Sequence, residues 1–350
     1  MKTNHKLLFQ EAQKLSQIQD ESIELVITSP PYPMIEMWDE IFSKQNPDIR
    51  TALDNGNGNL AFKLMHKELN KVWEEVSRVL TQGGIACINI GDATRTVNKI
   101  FRLYPSHSEI INKFHELGFQ SLPDIIWRKQ TNAPNKFMGS GMYPPGAYVT
   151  LEHEYILIFR KGDKRLFKKQ EQKVNRRKSA FFWEERNVWF SDVWDFKGIS
   201  QNLNNKKSRE RSAAFPFELA YRLINMYSVK GDVVLDPFVG TGTTTLAAIA
   251  SERNSIGIDI DKNIKETIHS RLINSLDEIN EYLRNRIDSH RKFINERIKM
   301  NGPTKYINEY FNFPIITKQE LNLQIKKIES IKYVNNMEYV VEYSDYFKSL

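Results

Sequence analysis

Four residues near the amino terminus, Ser29-Pro30-Pro31-Tyr32, place a hydroxyl, a stiff backbone and an aromatic ring directly after an apolar run. The Ser29 hydroxyl and the Pro30 carbonyl are hydrogen-bond acceptors, and two successive prolines hold that carbonyl in a fixed direction. Such a pair accepts both hydrogens of a nucleobase amine, which draws them out of the ring plane and frees the nitrogen lone pair to attack an electrophile. Tyr32 offers a flat face on which the base stacks, a contact worth about 1–3 kcal/mol.

A second segment, residues 236–245, reads Asp-Pro-Phe-Val-Gly-Thr-Gly-Thr-Thr-Thr after an apolar run. A strand, a glycine-rich turn and a helix start place backbone N–H groups and a helix amino terminus beside a ligand. Asp259 ends the next apolar run, where a doubly wound sheet holds a carboxylate for ribose hydroxyls. Because Thr245 replaces the third glycine of G-x-G-x-x-G and the phosphate-binding lysine is absent, the turn fits S-adenosylmethionine better than a dinucleotide.

Each segment alone also fits a structural role, the first as a rigid turn that stops a strand and the second as an ordinary tight turn. Their combination favours chemistry, because the sulfonium of S-adenosylmethionine is already an activated methyl donor and in-line positioning supplies most of what remains. We therefore expect neither a general base nor a metal. The single cysteine, Cys87, cannot build a thiolate cluster, and the adjacent His153 and Glu154 point to opposite faces of a predicted strand.

The apolar pattern alternates between strand and helix periods, which favours a largely parallel α/β sheet. In such a sheet, segments that end parallel strands meet at one edge even when they are far apart in sequence. A helix over 60–80 is expected to end at Gly83-Gly84, and residues 264–298 are expected to form one long helix. The other predicted helices are 106–117 and 217–224, and the predicted strands are 23–28, 85–90, 125–127, 155–159, 255–259 and 339–343, with one more leading into Asp236.

The 350 residues carry a formal net charge of +7, and the positive excess lies in one window. Residues 160–211 hold 16 Lys and Arg against 7 Asp and Glu, with eight aromatic residues interleaved. This composition indicates a nucleic-acid contact surface, although a solvated charged lobe with an aromatic core fits it equally well. No apolar run is long enough to cross a bilayer and no signal-peptide pattern opens the chain, so we expect a soluble, cytoplasmic protein.

Taken together, Ser29-Pro30-Pro31-Tyr32 and the motif from Asp236 to Gly242 resemble the DNA amino-methyltransferases of restriction-modification systems. The Ser-Pro-Pro-Tyr form is most typical of enzymes that act on cytosine N4, whereas those acting on adenine N6 usually carry Asp or Asn in place of Ser29. A catalytic motif first, a basic region next and the cofactor motif last looks like the family's β-type order. The resemblance implies a Rossmann-like methyltransferase fold with a mostly parallel sheet, an inserted basic target-recognition region and a C-terminal helical extension.

The resemblance also implies a division of the chain and a set of site residues. Its parts are a catalytic half (1–159), a target-recognition region (160–211), a cofactor-binding half (212–262) and a long helix with a C-terminal extension (263–350). The catalytic residues carried over by position are Ser29, Pro30, Pro31 and Tyr32. The cofactor-binding residues carried over are Phe215, Pro216, Asp236, Phe238, Gly240, Gly242, Thr243 and Asp259. The family's Gly-Asp pair is Gln10-Glu11 here, so a contact between Glu11 and the adenosine stays open.

The implied substrate is a base flipped out of double-stranded DNA, and the implied partner is a restriction endonuclease, with the enzyme itself a monomer or weak homodimer. Two alternatives stay open: an adenine-N6 methyltransferase of the same fold, and a DNA-binding protein without activity. Cytosine C5 methylation is disfavoured because it needs an attacking thiolate and Cys87 lies in a predicted apolar strand. Trp38 and Asp39 fit either a lid over the flipped base or the start of a helix.

Overall fold

The computed structural model describes residues 2–129, 138–139, 143–196, 215–345 and 347, so the predicted boundary between 211 and 212 lies outside the described residues. The helices are α1 (Asp39–Gln45), α2 (Asp48–Asp54), α3 (Gly58–Val79), α4 (Ser106–Glu116), α5 (Gln170–Lys178), α6 (Trp183–Trp189), α7 (Phe217–Tyr227), α8 (Thr243–Ala250), α9 (Lys265–Asn274) and α10 (Leu276–Asn301). The strands are β1 (Lys2–Phe9), β2 (Ile23–Thr28), β3 (Leu80–Ile90), β4 (Ala93–Val97), β5 (Ile100–Tyr104), β6 (Phe119–Ser121), β7 (Ile125–Lys129), β8 (Met138–Gly139), β9 (Ala147–Tyr148), β10 (His153–Lys161), β11 (Val193–Phe196), β12 (Val233–Asp236), β13 (Asn254–Asp259), β14 (Tyr306–Ile307), β15 (Pro314–Ile315), β16 (Lys327–Asn335) and β17 (Glu338–Ser344).

A sheet of eleven strands runs through the described part of the chain in the order β11-β7-β10-β3-β2-β12-β13-β1-β17-β16, with β6 beside β10. Strands β3, β2, β12, β13 and β1 are parallel to one another, whereas β10 and β17 run antiparallel to their neighbours. The predicted mostly parallel α/β architecture is therefore confirmed. Because β2, β12 and β13 are parallel, the residues that follow Thr28, Asp236 and Asp259 meet at one edge, which we call the carboxyl edge.

Apolar side chains cover both faces of the sheet, which makes three layers. Along β2, Leu25 and Ile27 pack on the face covered by α7, α8 and α10, while Val26 packs on the face covered by α3 and α4. Successive side chains of a strand point to opposite faces, so a strand buried on both sides reads as an apolar run. This double burial fixes β2 in the centre of the sheet and with it the segment that begins at Ser29.

Two predicted features of the elements were wrong. Helix α3 ends at Val79 and β3 begins at once, so Gly83-Gly84 lie inside the strand instead of closing the helix. Residues 264–298 form two helices that meet at Ser275 instead of one long helix. The Ser275 hydroxyl donates to the Leu272 carbonyl and so competes with the backbone hydrogen bonds of the helix. The predicted C-terminal strand at 339–343 is confirmed, because it lies within β17, which pairs with β1 and with β16 and so extends the central sheet.

The first part of the basic window lies at the amino edge of the parallel strands, opposite the carboxyl edge. Lys161 donates to the carbonyl of Leu80 at 2.8 Å, where β3 begins, and Arg165 forms a two-point ion pair with Asp232, just before β12. The window is described up to residue 196, and its most deeply buried aromatic side chains there are Phe182, Trp189 and Trp194. These aromatic residues are core residues, which is the alternative that the composition left open.

Among the described helices, none combines the length and the apolar character that crossing a membrane requires.

Candidate active site

Side chains at the ends of β2 and β12 are joined directly through Asp236. Thr28 Oγ1 donates to Asp236 Oδ1 at 2.6 Å, and Thr244 Oγ1 donates to Asp236 Oδ2 at 2.6 Å. The amide of Phe238 also donates to Asp236 Oδ1, at 3.0 Å. Burial raises the pKa of Asp236 to about 6, and these three hydrogen bonds oppose the rise. Asp236 thus ties the strand that leads into Ser29 to the glycine-rich turn.

The glycine-rich turn contains two residues with positive φ angles, Gly240 at 51° and Gly242 at 85°. In the part of the chain that the structure describes, a Cβ on Gly240 would meet no atom closer than 3.9 Å, whereas one on Gly242 would lie 3.1 Å from Ile268 Cγ2. The Gly240 amide donates to Asp259 Oδ2 at 3.1 Å, and the Asp261 amide donates to Asp259 Oδ1 at 2.8 Å. The turn therefore orients the Asp259 carboxylate and leaves open space at Gly240.

A cavity of about 170 Å³ lies at the carboxyl edge, between the two predicted segments. The predicted site residues in its wall are Ser29, Pro30, Pro31, Phe215, Asp236, Phe238, Gly240, Thr243 and Asp259. The other predicted residues lie outside that wall: Tyr32 is buried, and Pro216 and Gly242 are the cap residues that precede α7 and α8. The structure thus brings nine of the predicted residues around one space, and their roles stay predictions.

Several residues of the wall were missed or left open by the sequence. Glu11 lies in the wall with Gln10 and Gln13, all in the loop that follows β1. Trp38 ends a short 3-10 turn before α1, as the helix-start interpretation predicts. Its side chain also lines the cavity, and its role as a lid over the flipped base stays a prediction. Glu68 of α3 contributes as well, without a motif to mark it.

Beside the cavity, Ser29 belongs to a cluster of buried and partly buried polar side chains. Ser29 Oγ donates to the Tyr32 hydroxyl at 3.1 Å, and that hydroxyl donates to Glu154 Oε2 at 2.8 Å. Asn89 Nδ2 donates to the Tyr32 hydroxyl at 2.9 Å and to Glu154 Oε2 at 2.6 Å. The second carboxylate oxygen, Glu154 Oε1, forms an ion pair with Lys129. The cluster therefore links the cavity wall to a carboxylate through two hydroxyl groups.

Tyr32 and Asn89 are the buried members of this cluster, whereas Ser29, Lys129 and Glu154 are partly exposed. Tyr32 is 8 % exposed and Asn89 2 %, and Asn89 Oδ1 is buried without a hydrogen-bond partner among the described residues. Burial, reinforced by the charge of Glu154, raises the pKa of Tyr32 well above its ordinary value, so this residue keeps its proton. Strand pairing assembles the cluster: Ile156 of β10 lies opposite Asn89 of β3, which places Glu154 two residues along on the same face.

Comparisons with known proteins agree with this geometry. The chain is 53 % identical to the type II methyltransferase M.MthZI of Methanothermobacter thermautotrophicus over 347 residues, which cover 99 % of this chain and 96 % of that protein. It is 52 % identical to the type II methyltransferase M.MjaI of Methanocaldococcus jannaschii over 281 residues, 77 % of this chain and 91 % of the relative. The structure is similar to that of a putative DNA modification methylase of Thermus thermophilus in complex with S-adenosyl-L-methionine, with a TM-score of 0.59, 32 % identity and coverage of 76 % of this chain and 92 % of that one.

The fold is thus that of the S-adenosylmethionine-dependent DNA methyltransferases, and S-adenosylmethionine is the cofactor. The N6/N4 DNA methylase family model matches residues 23–270, a stretch that contains both Ser29 and Asp259. The chain therefore belongs to the N6/N4 DNA methylase family and is a DNA methyltransferase of the restriction-modification type.

Proposed function

We propose that the chain transfers the methyl group of S-adenosylmethionine to the exocyclic N4 of cytosine in double-stranded DNA. The observation that carries this proposal is the place of Ser29, in the wall of the cavity that Gly240 and Asp259 also line. Serine before Pro-Pro-Tyr is the form most typical of the cytosine-N4 enzymes that the sequence resembles. Adenine N6 is the second candidate, and it is less favoured because its enzymes usually carry Asp or Asn at the position of Ser29.

The cofactor half of the cavity fits an adenosine that carries a sulfonium side chain. Asp259, held by the amides of Gly240 and Asp261, would accept the ribose hydroxyls at the end of β13. Gly240 leaves the space that a side chain would fill, and Phe238 offers an apolar wall. Bound S-adenosylmethionine supplies an activated methyl group on a positively charged sulfur. Of the other predicted cofactor residues, Phe215 and Thr243 line the cavity directly, and Pro216 and Gly242 would act by setting the helix starts.

The transfer half of the cavity presents acceptors to the amine of the base. Ser29 Oγ donates its own proton to Tyr32 and accepts from Asn89 Nδ2 at 3.4 Å, which leaves one lone pair to accept an amine hydrogen. The Pro30 carbonyl accepts the other, and Pro31 stiffens its direction. Both contacts pull the hydrogens out of the ring plane and turn the nitrogen lone pair toward the donor methyl group. No metal is required for this step.

The base reaches this half of the cavity only after it leaves the DNA stack, which costs a few kcal/mol. Trp38 stands in the cavity wall and offers a ring beside the entering base, whereas stacking on Tyr32 needs its buried ring to become accessible. The adjoining Asp39 forms a two-point ion pair with Arg95, which fixes the start of α1. Methylation of one sequence would protect host DNA from a partner restriction endonuclease, and we infer that the enzyme acts as a monomer or weak homodimer.

A DNA-binding protein without activity is disfavoured, because the acceptors at Ser29 and Pro30 and the carboxylate at Asp259 surround one cavity. Cytosine C5 methylation is disfavoured by Cys87, which is fully buried in β3, where burial raises the pKa of its thiol.

The identity of the methylated base tests the proposal. Duplex DNA is incubated with the purified protein and labelled S-adenosylmethionine. The DNA is then digested to nucleosides, which are separated by chromatography and identified by mass spectrometry. We expect N4-methylcytosine as the labelled product, and label in N6-methyladenine would establish the second candidate instead. No transfer of label, with intact cofactor binding, would favour the inactive DNA-binding protein.

A further inference from the structure

Methyl transfer to an amine leaves a proton to be removed. As the nitrogen lone pair forms the N–CH3 bond, the C–S bond breaks and its electron pair stays on sulfur, which becomes neutral. The nitrogen then carries the positive charge until one of its two hydrogens leaves as a proton. Under the proposed function, on which this inference rests, one of those hydrogens already points at Ser29 Oγ.

Ser29 Oγ is the first member of a directed hydrogen-bond chain. The Ser29 hydroxyl donates to the Tyr32 hydroxyl at 3.1 Å, and the Tyr32 hydroxyl donates to Glu154 Oε2 at 2.8 Å. Each member thus accepts from the cavity side and donates away from it. Both distances fall in the range over which protons transfer between positioned groups.

We propose that Ser29, Tyr32 and Glu154 form a proton relay that carries the surplus proton of the methylated amine out of the cavity. The amine proton passes to Ser29 Oγ while the Ser29 proton passes to the Tyr32 oxygen and the Tyr32 proton passes to Glu154. The carboxylate ends the step as a neutral carboxyl group, and both hydroxyls end it with one proton each. Release of that proton to solvent restores the starting state.

The surroundings of the relay suit this direction of transfer. Tyr32 holds its own proton firmly, so it passes one on only when it receives one. Lys129, whose side chain is about one third exposed, pairs with Glu154 Oε1 and links the buried carboxylate to the surface. Asn89 holds the Tyr32 hydroxyl and Glu154 Oε2 together through one amide nitrogen. Tyr32 and Glu154 are positioning residues here, because they act on the base through Ser29.

Asn89 also contacts the first member of the relay, because its Nδ2 atom donates to Ser29 Oγ at 3.4 Å. One amide nitrogen therefore lies within hydrogen-bond distance of all three members and holds their oxygen atoms in one arrangement.

A double-mutant cycle tests the relay. Tyr32→Phe and Glu154→Gln are measured alone and combined with Ser29→Ala, by single-turnover methyl transfer at saturating DNA and cofactor. Each single change is expected to lower the rate by about 10²-fold, with KM for DNA and Kd for S-adenosylmethionine nearly unchanged. In the Ser29→Ala background, both changes are expected to lower it no further. Thermal unfolding of every variant identifies any loss of folded protein, and the cycle then uses the variant that folds.

The outcomes separate the relay from the proposed function. If Ser29→Ala transfers methyl groups at the wild-type rate, the proposed role of Ser29 fails and the relay fails with it. If Ser29→Ala is slow but Tyr32→Phe and Glu154→Gln slow it again by the same factor, the relay is overturned while Ser29 keeps its role. Wild-type rates in both single variants would overturn the relay in the same way.

Discussion

At the scale of single residues, Asp236 joins the transfer half of the site to the cofactor half through its hydrogen bonds to Thr28 and Thr244. Burial of its carboxylate charge lowers the stability of the folded protein. Its folded pKa of about 6 lies above the ordinary aspartate value of 3.8, so the folded protein binds the proton more tightly than the unfolded chain does. The stabilising contribution is therefore complete below about pH 4 and is lost as the pH rises through about 6. Relative to Asp236→Asn, which does not titrate, the unfolding free energy should fall by about 2–3 kcal/mol between pH 4 and 7.

Denaturant unfolding of the wild type and Asp236→Asn across this pH range measures that difference. Thr28→Val is the matched control, because it removes one hydrogen-bond donor to the Asp236 carboxylate. The pKa of Asp236 should then rise further, so the loss of unfolding free energy should occur at a higher pH. If the difference in unfolding free energy between the wild type and Asp236→Asn stays constant from pH 4 to 7, burial does not raise the pKa of Asp236.

Asp259 is the residue on which cofactor affinity should depend most. Asp259→Ala removes charge-assisted hydrogen bonds to the ribose, worth about 1.5–3 kcal/mol, so the Kd for S-adenosylmethionine should rise about 10- to 100-fold. Calorimetric titration measures this, with Asp261→Ala as the control because Asp261 is a nearby carboxylate outside the cavity wall. Equal affinities for Asp259→Ala and the wild type would remove Asp259 from the cofactor site.

How far the sequence predicts a site residue depends on whether its neighbours in space are also its neighbours in sequence. Ser29 and Asp259 were predicted because each follows a strand within a local motif. Glu154 and Asn89 were not, because only the antiparallel pairing of β10 with β3 brings them together. The motifs alone indicate no general base, and the hydrogen bonds that link Ser29 to Glu154 become apparent only once that pairing is known.

At the scale of elements, the turn between β12 and α8 uses its two glycines differently. Both have positive φ, so an alanine at either position costs about 1–2 kcal/mol of stability. Gly242→Ala should cost more, because its Cβ would lie 3.1 Å from Ile268. Gly240→Ala should instead weaken S-adenosylmethionine binding, since its Cβ would occupy open space beside the cavity.

Unfolding by denaturant and calorimetric titration of both variants separate the two effects, and each variant serves as the control for the other. These roles place Gly240 beside the cofactor and Gly242 against Ile268. They would be contradicted if Gly242→Ala lost affinity for S-adenosylmethionine while Gly240→Ala bound it normally.

Helices and strands whose apolar residues recur with a clear period were predicted well. Boundaries that depend on one side chain bonding to the backbone were not. The double burial of β2 and the single apolar stripe of α3 leave clear patterns. The break at Ser275 does not interrupt the apolar pattern, because a single side chain competing for one carbonyl leaves the neighbouring residues unchanged. Strand β16 was missed because most of its residues are exposed or only half-buried, so its pattern resembles that of a loop.

At the scale of the whole molecule, the placement of the basic window bears on how DNA approaches. Helix α5 lies at the amino edge with the segment before it, because Asn175 of α5 donates to the Lys230 carbonyl just before β12. The cavity lies at the carboxyl edge. A duplex whose base enters the cavity should therefore not contact Lys168, Lys169 and Lys173. Changing all three to Gln should leave the salt dependence of DNA affinity unchanged.

The control is Lys99→Gln at the exposed tip of the β4–β5 hairpin, which follows the carboxyl end of β3. DNA affinity falls as salt rises, and the slope of log affinity against log salt reports the number of phosphate contacts. This change should make that slope shallower by the amount that corresponds to about one contact. A decrease in this slope equivalent to about three phosphate contacts in the triple variant would instead establish α5 as part of the DNA-binding surface, which is one of the two interpretations that the composition left open.

The most direct test of the account is the single-turnover rate of Ser29→Ala at saturating S-adenosylmethionine and DNA, measured on protein whose cofactor affinity is determined in parallel. We expect the rate to fall about 10²- to 10³-fold, because a positioned acceptor for the amine hydrogen is lost. The Kd for S-adenosylmethionine should stay within about twofold of the wild type, because Asp259 and the glycine turn are untouched. A wild-type rate with normal cofactor binding would contradict the central claim that Ser29 prepares the amine for transfer.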